Sequence, residues 1–420
     1  MIAVYADWAG LDAPRRLGWL HARKTRQSER FEYENDPLAL LDPAIGSVPI
    51  DPAIGPYAGA QYPQSGHAMF GVFADSSPDR WGRLLMKRRH ERDLRDGLDQ
   101  RIRLSETDFL LGVHDLYRVG ALRYRLNDTG PFLDHQTDYA APPFVELRVL
   151  ERASLEIERD ADNSLTEGRE WLRMLIAPGG SLGGARPKAS VVDDDNHLWI
   201  AKFPSLRDDY DVGGWELVVN ALAKACGLDV APATARRYAS EHHCFMVKRF
   251  DRNAQGQRLH FASAMTLTGR QDGDDASSGA SYLELAEVLM RHGANPKQDL
   301  RELWSRIVFS ILVSNTDDHL RNHGFILVPG KGWRLSAAYD LNPVAHGDGL
   351  KLNITEHDNA LDLELAREVA VVFRVPLAAA DEIIADCAHA VSHWRTLAER
   401  VGLSPRERDA MAPAFVRAQR

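Results

Sequence analysis

The chain has 420 residues, 44% of them apolar and 26% charged, which is ordinary for a globular protein and excludes a disordered one. That length exceeds one simple core and predicts two or three packed lobes. A formal net charge of −9 argues against a surface that binds nucleic acid over most of its area, while local basic patches remain open.

No apolar run approaches the roughly eighteen residues needed to cross a bilayer, so no membrane association is expected. Asp7 comes too early for a secretory leader. Cys226, Cys244 and Cys387 are odd in number, widely spaced and without a C-x-x-C, which disfavours a disulfide framework or a thiolate zinc site. The expected location is the cytoplasm.

Along the chain, residues 1–75 carry short alternating stretches at Ile2–Ala6, Leu17–Leu20 and Phe31–Glu34, the pattern of a small, mostly β subdomain. Asp-Pro-Ala-Ile-Gly occurs at 42–46 and again at 51–55, two copies of a turn rather than a repeat fold. From Ser77 the periodicity becomes helical, with Trp81, Leu84 and Leu85 inward. This helix carries Arg80, Arg83, Lys87, Arg88, Arg89 and Arg92, which read as a solvated face or as a partner patch; the acids that follow favour the first.

The segment Ala177-Pro-Gly-Gly-Ser-Leu-Gly-Gly-Ala-Arg-Pro-Lys188 packs four glycines into six positions. Such a backbone approaches a ligand closely and aims successive N–H groups at phosphate oxygens, although it matches neither G-x-G-x-x-G nor Walker A. A plain glycine-rich turn is the alternative. Strands follow at Ala189–Val192 and His197–Phe203, joined by the turn Asp193–Asn196. Lys202 sits within an apolar strand, where it needs an anion or snorkels from an edge. A helix over about 213–226 places Glu216 in its first turn, either as a partner for Lys202 or as a helix-dipole acid. Cys244–Phe250 is a strand ending in Arg249-Phe-Asp-Arg252, expected to lead to a hinge beside a nucleotide base. The stretch 266–281 has almost no apolar content and is expected to be a mobile loop. Leu300, Leu303, Trp304, Ile307, Val308, Ile311 and Leu312 then form the stripe of a buried helix.

The strongest signal follows that helix directly: Ser314-Asn-Thr-Asp-Asp-His-Leu-Arg-Asn-His-Gly324. Asp317 and Asn322 have the D-x-x-x-x-N spacing of a kinase catalytic loop, in which the carboxylate orients a substrate hydroxyl and the amide oxygen coordinates magnesium. A hairpin over Gly324–Val328 and Trp333–Leu335 then delivers Asp340, where a second magnesium ligand would stand. Other readings are open. His319 and His323, four apart, with Asp317 and Asp318 could hold a transition metal, or Asp318 and His319 could buttress the loop. Asp340 could be a turn residue before Asn-Pro. A mainly helical region runs from about 360 to the end.

Taken together, Ser181-Leu-Gly-Gly-Ala-Arg-Pro-Lys188, Ile200–Pro204, Arg249–Arg252, Asn315–Phe325 and Tyr339–Pro343 resemble the HipA family of bacterial serine/threonine kinases, the toxins of toxin–antitoxin pairs. Asp79-Arg-Trp-Gly-Arg-Leu-Leu85 and Arg118–Leu122 extend the similarity over nearly the whole chain. The resemblance implies an α+β, two-lobed, protein-kinase-like fold with an added N-terminal, mostly β subdomain and a helical C-terminal lobe. Its implied divisions are 1–150, 151–260 and 261–420. It implies ATP and Mg2+ as cofactors. ATP would meet Gly180, Ser181, Gly183, Gly184, Ala185, Lys188, Lys202 and Glu216. Asp317, His319 and Asn322 would be catalytic, and Asn322 and Asp340 would hold the metal. Ser181 would be the site of autophosphorylation, its phosphate opposing the ATP phosphates. Implied partners are a small helix-turn-helix antitoxin of the HipB kind, operator DNA through that complex, and a protein substrate such as an aminoacyl-tRNA synthetase. A kinase-like scaffold acting mainly as the antitoxin's corepressor is the alternative. The sequence departs from the family in Arg186-Pro187, where many members carry Gln-Glu. It departs from ordinary protein kinases in Asn315-Thr316 for His-Arg and in Asp-Leu-Asn for Asp-Phe-Gly.

Overall fold

The computed structural model describes residues 1–24, 29–133, 142–160, 171–172, 174–176 and 184–419. They form two compact units, Met1–Asp208 with Arg237–Ala262, and Asp209–Arg236 with Ser263–Arg420.

The first unit begins with an antiparallel sheet built from β1 (Ile2–Ala6), β2 (Arg15–Lys24), β3 (Glu29–Asn35), β4 (Ala60–Gln61) and β5 (Leu122–Arg125), in the order β4-β3-β2-β1-β5. Its strands match the alternating stretches of the sequence because period-two patterning buries one face, as Phe31 and Tyr33 show on β3. The two Asp-Pro-Ala-Ile-Gly copies make the same turn. Asp42 Oδ1 accepts from Ala44 N at 2.9 Å and Asp51 Oδ1 from Ala53 N at 2.8 Å.

Helix α1 (Arg80–Arg95) is capped by Asp79, and α2 (Leu147–Arg159) follows. The basic residues of α1 are largely engaged within this unit. Arg83 grips Glu106 through two bonds of 2.7 and 2.6 Å, Arg92 meets Asp160 at 3.1 Å, and Arg88 donates to the Ile157 carbonyl. The solvated-face reading therefore needs refining: the guanidinium groups splice α1 to its neighbours. Both helices cover one face of a second sheet, whose strands within this unit are β6 (Lys188–Val192), β7 (Leu198–Lys202) and β8 (Cys244–Lys248). Trp81, Leu85, Leu150, Val191, Ala201 and Met246 belong to the resulting core.

Arg249–Arg252 plays a part that strand patterning did not reveal. Asp251 is buried and accepts from Arg249 Nε at 2.8 Å, Arg252 Nη1 at 2.8 Å and Gly120 N at 2.9 Å. Arg249 Nη1 also donates to the Tyr117 carbonyl at 2.7 Å. Burial pushes the Asp251 carboxyl up, but the two guanidinium charges outweigh it and hold the group well below the usual range. The motif is thus a buried ionic knot that binds the 117–120 turn to the end of β8.

The second unit is mainly helical. Helix α3 (Val212–Ala225) buries Trp215, Val218, Val219 and Leu222 and stops at Gly227, whose φ of +77° suits a helix end. Helices α4 (Tyr282–His292) and α5 (Pro296–Leu312) precede a hairpin of β9 (Gly324–Val328) and β10 (Gly332–Leu335). Helices α6 (Leu377–Ser392) and α7 (Trp394–Val401) lie near the C-terminus, where Trp394 stacks on Phe415 with ring centroids 4.5 Å apart and Trp215 stacks on the same ring at 5.9 Å.

The stretch 266–281, expected to be a mobile loop, contains short regular elements. Ala264–Thr268 is a short helix and Ala276–Ser278 a 3-10 turn. Its order comes from polar bonds instead of apolar burial. Asp275 caps the turn through Ser277 N at 2.9 Å, and Arg270 donates to the Ser278 and Gly279 carbonyls and to Glu284. No helix among the described residues is long and apolar enough to cross a membrane.

Candidate active site

Helix α5 is buried along most of its length and leads directly into the segment 314–324. Ser314 ends it with φ +51°, a left-handed turn costly for a side-chain-bearing residue and held here from both sides. Its Oγ donates to the Ala414 carbonyl at 2.8 Å and accepts from Arg417 Nη1 at 3.1 Å.

Two adjacent acids then meet opposite fates. Asp317 is exposed, whereas Asp318 is buried. Tyr282 Oη donates to Asp318 Oδ2 at 2.6 Å, and His323 Nε2 lies 3.2 Å from Oδ1. Burial pushes Asp318 up, but the facing His323 and the Tyr282 hydroxyl overcome it and keep the carboxyl below its ordinary value. Burial and the same carboxylate push Tyr282 well up. Asp318 therefore buttresses the loop from beneath while Asp317 stands outward. The backbone of His319 closes the turn, its N–H donating to the Asp317 carbonyl at 2.9 Å and its carbonyl accepting from Asn322 N at 2.8 Å.

Asn322 is buried, and its Nδ2 donates to the Asp317 carbonyl at 3.0 Å, which directs the amide oxygen the other way. Asp340 has φ +59°, a conformation aspartate tolerates better than most residues. Its segment is stitched to the 314–322 loop. Tyr339 Oη donates to the Arg321 carbonyl at 2.7 Å, Asn342 N to Asn315 Oδ1 at 3.2 Å, and Val344 N to the Ser314 carbonyl at 3.0 Å. The neighbours of Asn322 and Asp340 are thus tied directly to each other. An amide oxygen with a carboxylate is a donor set suited to a hard divalent cation such as magnesium.

The transition-metal reading finds no support. His319 and His323 flank a 3-10 turn of three residues and do not share a helical face. Among the described residues, the His, Cys, Asp and Glu groups close enough to hold an ion are His21, Glu32 and Glu34, and Asp193, Asp195 and His197. Beside Asp317 opens a cleft of about 630 Å3, lined by Asp275, Ser277, Asp348 and Lys351 among others.

Of the described residues expected to meet ATP, Gly184, Ala185, Lys188 and Lys202 belong to the first unit, whereas Glu216 lies on α3 of the second and is buried at 4% exposure. That burial disfavours a simple surface helix-dipole role. Lys202 is half-buried on its strand. Ala201 and Trp199 take the core side of β7, so Lys202 occupies the opposite face, opposite Lys188 in register and with its Nζ 5.7 Å from the Phe245 ring centre. Gly184 has φ +99° and Ala185 follows it at the exit of the glycine-rich segment. Gly180, Ser181 and Gly183 lie outside the described residues. Two contributors escaped sequence reasoning: Tyr282, beneath Asp318, and Asp79, 3.6 Å from Lys188 Nζ. In the sequence Asp79 stands out only as part of the Asp79–Leu85 motif that carries the family resemblance.

Residues 180–395 match the model of the HipA-like C-terminal domain. A Haemophilus influenzae protein provisionally named a kinase is 28% identical over 184 residues, 40% of this chain and 53% of that protein. Y4mE of Sinorhizobium fredii, also provisionally named a kinase, is 31% identical over 206 residues, 44% of this chain and 46% of its own. The chain thus spans about half the length of these curated relatives. The fold is similar to that of a chain in the Shewanella oneidensis MR-1 toxin–antitoxin complex of HipA, HipB and operator DNA, with TM-score 0.69 and 16% identity over 100% of this chain and 97% of that one. With more than half its length matched by that family's model, the chain belongs to the HipA-like C-terminal domain family.

Proposed function

We propose that this protein is an ATP- and magnesium-dependent serine/threonine protein kinase, acting as the toxin of a toxin–antitoxin pair. The observation that carries this reading is an exposed Asp317 on a loop anchored by buried Asp318, with Asn322 and Asp340 on segments bonded to each other. Asn322 and Asp340 would hold magnesium, which supplies positive charge against the phosphate oxygens when bound. Lys202 and the backbone at Gly184 and Ala185 bind the ATP phosphates. Asp317 takes the proton of a serine or threonine hydroxyl entering the adjoining cleft. The hydroxyl oxygen bonds to the γ-phosphorus as the bond to the β–γ bridging oxygen breaks, leaving ADP.

Ser181 is the proposed site of self-phosphorylation, and a translation component such as an aminoacyl-tRNA synthetase the proposed external target. A helix-turn-helix antitoxin is the proposed partner. With a net charge of −9, operator DNA is better reached through that partner than directly. The structural relative assembled with HipB and operator DNA supports this and keeps open the second reading, a corepressor scaffold. Phosphate transfer from radiolabelled ATP separates the two. Asp317→Ala and Asp340→Ala should each lower it by roughly a thousandfold with an unchanged circular dichroism spectrum. No transfer by the wild-type chain would exclude the kinase reading, and wild-type transfer by Asp317→Ala would exclude Asp317 as its base.

A further inference from the structure

Two acids hold the exit of the glycine-rich segment. On one side stands Asp79, the N-cap of α1, whose Oδ1 accepts from Gly82 N at 3.1 Å. Its Oδ2 lies 3.6 Å from Lys188 Nζ, and the two side chains are only 3% and 4% exposed. Trp81 adds two more ties, N–H to the Gly184 carbonyl at 3.4 Å and Nε1–H to the Lys188 carbonyl at 3.1 Å. Gly184 rests directly on the ammonium, since a Cβ there would fall 2.7 Å from Lys188 Nζ. On the other side Arg186 forks onto Asp208 through two bonds of 2.6 Å and reaches the Phe203 carbonyl at 3.3 Å. The Arg186-Pro187 pair that departs from the family pattern therefore has a partner of its own.

A buried ammonium requires an anion, and a carboxylate already committed to capping a helix cannot swing away with it. The position of Lys188, and of the backbone lying on it, is thereby set by α1.

We propose that Asp79 is a positioning residue for the phosphate-binding loop: by holding Lys188, it fixes how Gly184 and Ala185 present their backbone to the ATP phosphates. This rests on the kinase reading given above. Asp79→Asn keeps the size and capping ability of the side chain and removes only the charge facing Lys188. The measurements are the dissociation constant of magnesium–ATP by calorimetry, the ATP dependence of self-phosphorylation, and the thermal midpoint.

For Asp79→Asn we expect ATP binding weakened about tenfold and KM for ATP raised in step, the scale of one loosened charged contact, with the maximal rate within roughly twofold of wild type. Trp81→Phe, which removes the indole donor together with part of a buried ring, should raise KM about threefold, with the thermal midpoint reporting the lost packing separately. Wild-type ATP affinity in a folded Asp79→Asn protein overturns the proposal. So does a fall in maximal rate that tracks a lowered thermal midpoint at unchanged KM, the signature of a purely structural role. If Asp79→Asn does not fold, Trp81→Phe decides on the same readouts, unchanged affinity counting against the proposal. Failure of the wild-type chain itself to bind magnesium–ATP removes the kinase reading, and that result is read without any variant.

Discussion

Asp317 and Asp318 are chemically identical neighbours that the fold separates completely. Spacing to Asn322 selected Asp317, but the reason Asp318 is unsuited to meet substrate was hidden, because Tyr282 comes from 36 residues away. Removing the Asp318 charge should be far more damaging to stability than removing that of Asp317. Asp318→Asn leaves Tyr282 and His323 packed around a neutral amide and should cost about 3 kcal/mol in urea unfolding, whereas Asp317→Asn should stay within roughly 0.5 kcal/mol. The pH dependence follows from the direction of the shift. A carboxyl held below its unfolded value near 3.9 stabilises the fold above about pH 4, and that contribution disappears as pH falls through the lower, folded value. The difference in urea midpoint between wild type and Asp318→Asn should therefore shrink between pH 5 and about pH 2. A constant difference across that range would show that the carboxylate charge is not what the loop depends on.

Elements with a strong period were legible from the residues themselves. Helix α5 announces itself through its apolar stripe, and the β9–β10 hairpin through Pro329-Gly-Lys-Gly332. What remained illegible was order produced by side-chain-to-backbone bonds. The segment around Asp275 has no apolar pattern, yet Asp275, Arg270 and Asn353 tie it down, Asn353 Nδ2 donating to the Ala276 carbonyl at 3.0 Å. Likewise the basic run of α1 could not reveal from its charges alone that Glu106 and Asp160 answer them. The hairpin gives a local test. Gly332 has φ +126°, and a Cβ there would lie 2.3 Å from the His292 carbonyl oxygen. Gly332→Ala should destabilise the protein by about 2–3 kcal/mol in guanidinium unfolding, combining backbone strain with a collision against fixed backbone.

For the molecule as a whole, ligand linkage gives a test that does not need the substrate. If magnesium–ATP binds as proposed, ATP at about 100 times its dissociation constant should stabilise the folded chain by about 2.7 kcal/mol, seen as a raised thermal midpoint. Chelating the magnesium should remove most of that gain. A midpoint indifferent to both would count against Asn322 and Asp340 as metal holders.

The buried knot at Arg249 and Asp251 bears on how such genes can be cut and joined. The matched family stretch begins at residue 180, yet Asp251 accepts from Gly120, and Arg249 needs the Tyr117 carbonyl. The stretch ends at residue 395, yet Trp394 stacks on Phe415. A polypeptide trimmed to those limits would strand a guanidinium–carboxylate cluster and bare an indole face. Recombination that moved the recognisable segment without its flanks would therefore break both sets of contacts and should give a destabilised product, checked by the unfolding midpoint of a 180–395 fragment.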